Sequence, residues 1–242
     1  ADFTVNAAEI DLIDRYQRLT ERLHQAESQY GRAEGSVCLV AVSKTYPVDH
    51  VRTVATQGQR DFGENQIQDA MTKIPVLEDL GCSWHFIGPI QSNKCRDIAL
   101  HFDWVHSVDR AKVARRLSDL RPANTKPINI FIQINLQNEA TKSGVLPKQL
   151  GALVDEVKNL PYLKLRGLMA IPAPETLFDR QRATFATLRE LLQTTNRGHQ
   201  TNMDCLSMGM TDDLEAAVAE GATHVRVGTA IFGPRQKPAS NP

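Results

Sequence analysis

Between residues 37 and 233, short apolar runs alternate with segments of helical periodicity, and this rhythm constrains the fold more than any other feature. The runs are VCLVAVS (37–43), DFGEN (61–65), WHFIG (84–88), DWVHS (103–107), INIFIQIN (128–135), LKLRGLMAI (163–171), DCLSMG (204–209) and THVRVGT (223–229). Several are apolar at successive positions, so both faces need cover, as in a parallel sheet flanked by helices. Between them, Val113, Ala114, Leu117 and Leu120 share one helical face, and Leu150, Leu153, Val154, Val157 and Leu160 share another. DDLEAAVAEG opens on acidic residues and closes on Gly221, as helix starts and ends prefer. Eight such units in about 200 residues predict an α/β chain folded as a single (β/α)8 barrel. A doubly wound open sheet is the alternative, but no G-x-G-x-x-G follows the first run. An additional N-terminal helix is predicted over residues 4–30, where Leu12, Tyr16, Leu19, Leu23, Ala26 and Tyr30 recur at helical spacing.

The whole of 1–242 reads as one domain. The Pro-rich MAIPAPETLFDRQ is a loop within it, because the rhythm resumes afterwards, and the tail 236–242 (QKPASNP) is expected to be disordered. Lys plus Arg number 28 and Asp plus Glu 28, so no charge excess points to nucleic acid or a membrane surface. No apolar run approaches the roughly 18 residues of a membrane span, and the N-terminus lacks the pattern of a signal peptide. The four cysteines, Cys38, Cys82, Cys95 and Cys205, form no C-x-x-C, so neither zinc nor a disulfide framework is implied. A cytoplasmic monomer is expected.

In a barrel of this kind, chemistry sits at the C-terminal ends of the strands. Those ends offer Lys44, Glu64 with Asn65, Gly88 with Gln91, Asn93 and Lys94, His106, Asn135, Met169, Ser207 with Gly209, and Arg226 with Gly228 and Thr229. The loops after strands seven and eight, SMGMTDD and VGTAIFG, are where this fold favours a phosphate. Glycine lets backbone N–H groups approach, and hydroxyls add donors. Lys44 follows a buried strand, where partial burial would free its amine to attack an aldehyde. Pyridoxal phosphate needs a lysine for its aldehyde, donors for its phosphate and a partner for its pyridine nitrogen. Arg226 lies two residues before Gly228, on the same strand face, and could be that partner. A barrel aldolase using Lys44 on a sugar phosphate is also consistent with these positions. Lys142, in NEATKSG, reads as a solvated loop lysine that could offer a second anion or aldehyde contact, and His85 as a packed or hydrogen-bonded ring. No H-E-x-x-H, G-x-S-x-G or Walker A sequence occurs.

The motifs AVSKT, FGEN, WHFIGPIQSNK, KSG, GLMAI, LSMGM followed by DD and EAA, and VRVGTAIFG occur in this order. Through them, nearly all of residues 5–235 resembles the pyridoxal phosphate homeostasis protein family, the YggS/PROSC-like group of alanine-racemase-like barrels. The resemblance implies a fold-type III barrel holding pyridoxal 5'-phosphate as an internal aldimine on Lys44. It places Ser207, Gly209, Gly228 and Thr229 at the phosphate, Arg226 at the pyridine nitrogen and Asn65 in the pocket wall. It also implies a role in keeping the cofactor supply balanced, with cofactor-dependent apo-enzymes as recipients and no catalysed reaction. An amino-acid racemase is the rival. Racemisation needs a second acid–base group opposite the lysine, which alanine racemases take from a tyrosine of a further β-domain. Of Tyr16, Tyr30, Tyr46 and Tyr162, only Tyr46 is expected near the mouth, on the lysine's own side. Two departures from the family pattern are Gln66, where an aromatic is frequent, and the ending GPRQKPASNP.

Overall fold

The computed structural model describes residues 5–140 and 142–234, so the predicted disorder of 236–242 falls outside the described residues. Eight parallel strands close into a barrel in sequence order: β1 (Cys38–Val42), β2 (Asp61–Glu64), β3 (Ser83–Phe86), β4 (Trp104–Val108), β5 (Ile128–Gln133), β6 (Leu163–Met169), β7 (Cys205–Ser207) and β8 (His224–Val227). Each predicted run overlaps one strand, with β3 beginning one residue before its run and β4 ending one residue after. The ring closes where β1 pairs with β8, matching Val40 to Arg226. After the strands come α2 (Val48–Thr56), α3 (Ile67–Lys73), α4 (Cys95–His101), α5 (Ala111–Leu120), α6 (Pro147–Val157), α7 (Phe178–His199), α8 (Leu214–Ala219) and the short α9 (Thr229–Phe232).

The additional helix α1 (Ala7–Gln29) begins at Asn6, whose Oδ1 accepts from the Glu9 N–H at 2.9 Å. Of the predicted stripe, Leu12, Tyr16, Leu19, Leu23 and Ala26 are buried and Tyr30 is half-buried at the C-cap, and the helix packs against α2, α8 and α9. It therefore covers the seam where the barrel closes. Arg22 adds a two-pronged ion pair to Glu215 of α8 at 2.5 and 2.7 Å. Among the described residues, no helix is long and apolar enough to cross a membrane.

Barrels of this class usually fill their lumen with branched aliphatic side chains. Here the lumen holds rings. Trp104 and Phe131 stack at 5.7 Å between centroids, and His85, His106 and His224 pack among them. Buried polar rings persist in a core only when hydrogen-bonded, so their partners bear directly on the site above them.

Candidate functional site

Lys44 stands two residues past β1, half-buried, at the end of the barrel where all the strands terminate. Its neighbours on both sides are fixed. The Ser43 N–H continues the sheet to the Gly63 carbonyl at 3.0 Å, and its hydroxyl donates to Glu64 Oε1 at 2.6 Å. Thr45 has φ 64°, a left-handed conformation uncommon for a β-branched residue and costing ~1–3 kcal/mol. Its N–H donates to Asp69 Oδ2 at 2.9 Å. Lys73 Nζ joins the parts, donating to the Ser43 carbonyl (2.5 Å), Glu64 Oε1 (2.9 Å) and Asp69 Oδ2 (3.0 Å). Charge-assisted bonds of this kind contribute roughly 1.5–3 kcal/mol each, enough to offset the strain at Thr45.

Glu64 is thus not a group of the barrel mouth. Its side chain turns outward between β2 and α3, wholly buried, and burial holds its carboxyl above the ordinary range against the pull of Lys73. Sequence reasoning missed Lys73 and Asp69. A signal was present: Lys73 falls in the apolar phase of α3 with Ile67 and Ala70, and Asp69 precedes it by one turn.

Arg226 points into the barrel and is 3% exposed. Nη1 donates to Ser207 Oγ at 2.5 Å and Nη2 to the Ala170 carbonyl at 3.0 Å. Burial lowers its pKa to about 10, with the Asp213 charge opposing, so the group is protonated at neutral pH. Among the described residues, no carboxylate lies within ion-pair distance of it. A buried guanidinium without a counter-ion carries a desolvation cost of several kcal/mol.

The remaining predicted positions divide. Ser207 lies directly below Arg226, fully buried, and its hydroxyl also shares a 2.7 Å hydrogen bond with His106 Nδ1 deeper in the lumen. In the structure its two bonds are internal, to Arg226 and His106. Gly209 has φ 101°, and a Cβ there would sit 2.6 Å from the Cβ of Ala217, so its lack of a side chain lets α8 close on the strand ends. Gly228 caps α9 beside the Val42 carbonyl, and Thr229 is exposed at the rim. Asn65 is half-buried in a rim pocket with Gln66, Phe86, Gln91 and Lys94. A Cβ on Gly88 would come within 2.1 Å of the Asn65 carbonyl, so that glycine permits the approach of the two loops.

Asn135 ties its own loop, bonding both ways with Glu139 at 2.8 and 3.2 Å. Lys142 pairs with Glu139 at 3.2 Å and lines a second rim pocket with Asn135 and Ala170. Met169 is a core residue packed with Phe131 and Cys205. The Tyr46 hydroxyl donates to the Gly233 carbonyl, and its ring stacks on Phe232 at 4.8 Å.

A half-buried lysine, a buried arginine with no ion-pair partner among the described residues and two glycine-bearing loops ring one barrel mouth, and residues 15–236 match the family described as alanine racemase, N-terminal domain. Fold and site together define a barrel of the alanine racemase N-terminal type. Within that class, the chain belongs to the pyridoxal phosphate homeostasis proteins. It is 54% identical over 224 residues to the protein of that name from Pseudomonas aeruginosa, spanning 93% of this chain and 96% of the relative. It is 45% identical to the one from Escherichia coli K12, spanning 93% and 97%. The solved structure of PipY from Synechococcus elongatus, described with PLP bound, superposes with a TM-score of 0.80 at 38% identity, covering 89% of this chain and 100% of that one.

Proposed function

We propose that this protein binds pyridoxal 5'-phosphate at the barrel mouth, holds it through Lys44 and passes it to apo-enzymes without turning over a substrate. The observation that carries the reading is Arg226. A guanidinium this deeply buried, steadied by Ser207 and Ala170 and lacking a carboxylate, is prepared for a neutral acceptor at the mouth. A pyridine nitrogen is such an acceptor. The relatives' shared name and the PLP-bound neighbour support the same ligand.

When bound, the cofactor supplies an amine-reactive aldehyde, a phosphate dianion and a ring able to withdraw electrons. Lys44 is the amine we assign to the aldehyde, positioned by the clamps on Ser43 and Thr45. Gly209, Gly228 and Thr229 are assigned to the phosphate and Asn65 to the wall. Ser207 is assigned a supporting place, holding Arg226. Arg226, its pKa lowered only to about 10, would donate a hydrogen bond to the ring nitrogen and keep its own proton. By leaving that nitrogen unprotonated, Arg226 would disfavour removal of a proton from a bound amino acid. The Tyr46 hydroxyl, engaged by Gly233, is poorly placed to serve as the opposing acid–base group.

The test is the visible spectrum. Protein mixed with PLP should show a protein-bound absorbance that Lys44→Ala lacks while retaining its circular dichroism. An equal absorbance in Lys44→Ala would remove Lys44 from the site.

A further inference from the structure

The lumen contains one continuous hydrogen-bonded chain that the reading above does not use. Below Arg226, Ser207 Oγ meets His106 Nδ1 at 2.7 Å, His106 Nε2 meets His85 Nδ1 at 2.9 Å, and His85 Nε2 meets Asp61 Oδ1 at 2.8 Å. The links come from β8, β7, β4, β3 and β2 in turn. Arg226 and Ser207 lie near the strand C-termini. Asp61 begins β2, so its carboxylate stands at the opposite end of the barrel, with a side chain 32% exposed. His85 and His106 between them are wholly buried.

The direction of this chain is fixed by its ends. An arginine has only donors, so Nη1–H donates and Ser207 Oγ accepts. An ionised carboxylate only accepts, so His85 Nε2–H donates to Asp61. A neutral imidazole has one donor and one acceptor nitrogen. His85 Nδ1 therefore accepts from His106 Nε2–H, and His106 Nδ1 accepts the hydroxyl proton of Ser207. No link is left without a donor or supplied with two. The ionisation states agree. Burial tends to raise the Asp61 carboxyl, but the hydrogen bonds from His85 and Cys38 help bring it below its ordinary 3.8. Burial, with the neighbouring His85, His224 and Arg226, keeps His106 neutral.

In this order every dipole turns its negative end toward Arg226. Reversed, the chain would leave His85 Nε2 without a proton for the Asp61 carboxylate, and each dipole would turn its positive end toward the guanidinium. We propose that Asp61 is a positioning residue for Arg226: from the far end of the barrel it fixes the tautomers of His85 and His106, and so makes the Ser207 oxygen the partner of a guanidinium that has no carboxylate of its own. The consequence for ligand binding rests on the PLP reading above. The tautomers do not.

The test has two arms. With ring-15N histidine, long-range proton–nitrogen correlation on the unliganded protein should show His85 and His106 each protonated at Nε2 and not at Nδ1. In Asp61→Asn, of nearly unchanged shape but carrying both a donor and an acceptor, an Nδ1–H population should appear at His106. In the second arm, Asp61→Asn should weaken PLP binding by about fivefold, the scale of one net hydrogen bond. It should leave unchanged the binding of the carbocyclic analogue whose ring nitrogen is replaced by C–H. In the Ser207→Ala background, Asp61→Asn should have no further effect, because the chain is already cut. A packing role would give no tautomer change, and its effect would add to that of Ser207→Ala. An Nδ1–H or doubly protonated His106 in the unsubstituted protein would overturn the proposal, as would unchanged rings in Asp61→Asn or additive losses. If the unsubstituted protein took up no PLP, the cofactor reading would fall while the ring spectra still decided the chain.

Discussion

Lys73→Met isolates the clamp that holds the Lys44 loop. Lys73 is 1% exposed and Glu64 0%, and the ammonium makes all three of its recorded bonds within this cluster. Methionine keeps most of the stem's volume and removes the charge. It leaves Glu64 with the Ser43 hydroxyl on Oε1, while Oε2 is already buried without a partner. Removing one partner of a buried pair costs ~3–5 kcal/mol. At about 2–4 °C per kcal/mol for a chain of this size, the melting temperature should fall by ~10 °C. Glu64→Gln in the same protein should recover at least half of the loss, because no buried charge then remains unpaired. The deficit should also depend on pH. Glu64's folded pKa is raised above the ordinary 4.5, and losing Lys73 raises it further. An acid with a raised folded pKa destabilises the fold above that pKa and imposes no penalty below its unfolded value. The stability gap between Lys73→Met and the unsubstituted protein should therefore narrow as pH falls toward 4.5. Urea titrations at pH 7 and pH 4.5 measure it. A loss under 1 kcal/mol at pH 7, or a gap that widens in acid, would refute the reasoning.

Other outcomes follow from the same geometry. Ser207→Ala should weaken PLP by about tenfold, through the loss of a bond to a charged group; if its role is the observed bond to Arg226, pyridoxal should lose affinity by the same factor in parallel titrations, whereas a much smaller loss for pyridoxal would return the hydroxyl to the phosphate. His106 and His224 are held neutral by burial, His224 down to about 3, so the unfolded chain takes up protons that the folded one refuses. Stability should drop as pH falls below 6.5, by up to ~1.4 kcal/mol per pH unit for each ring, and His224→Gln should flatten that slope in urea titrations. Alanine incubated in heavy water with the PLP-loaded protein should show no α-deuterium by NMR, and rapid exchange would restore the racemase reading.

Much of the fold was legible because parallel strands buried on both faces leave continuous apolar runs, and each of the eight overlaps one strand. Lys44 and Arg226 were legible for a related reason: a charge that ends or interrupts such a run needs explaining. The facing of Glu64 was not. It follows an inward Gly63, so strand alternation turns it outward, but β2 is four residues long and gave no pattern to fix the phase. The direction of the Ser207 hydroxyl was beyond the sequence altogether, since it depends on His106, 101 residues earlier and three strands away around the barrel. His85 read as a packed or hydrogen-bonded ring and His106 as a strand-end candidate, with nothing to join them. Only the register of β3 against β4, pairing His85 with Trp104, places His106 one inward position higher and within reach.

Borohydride reduction of the PLP-loaded protein, followed by peptide mass spectrometry, tests the central assignment most directly. One pyridoxyl-modified lysine is expected, Lys44, in the peptide that spans the end of β1 and its clamped turn. Modification chiefly at another lysine, such as Lys142 on the opposite rim, or no modification at all, would contradict it.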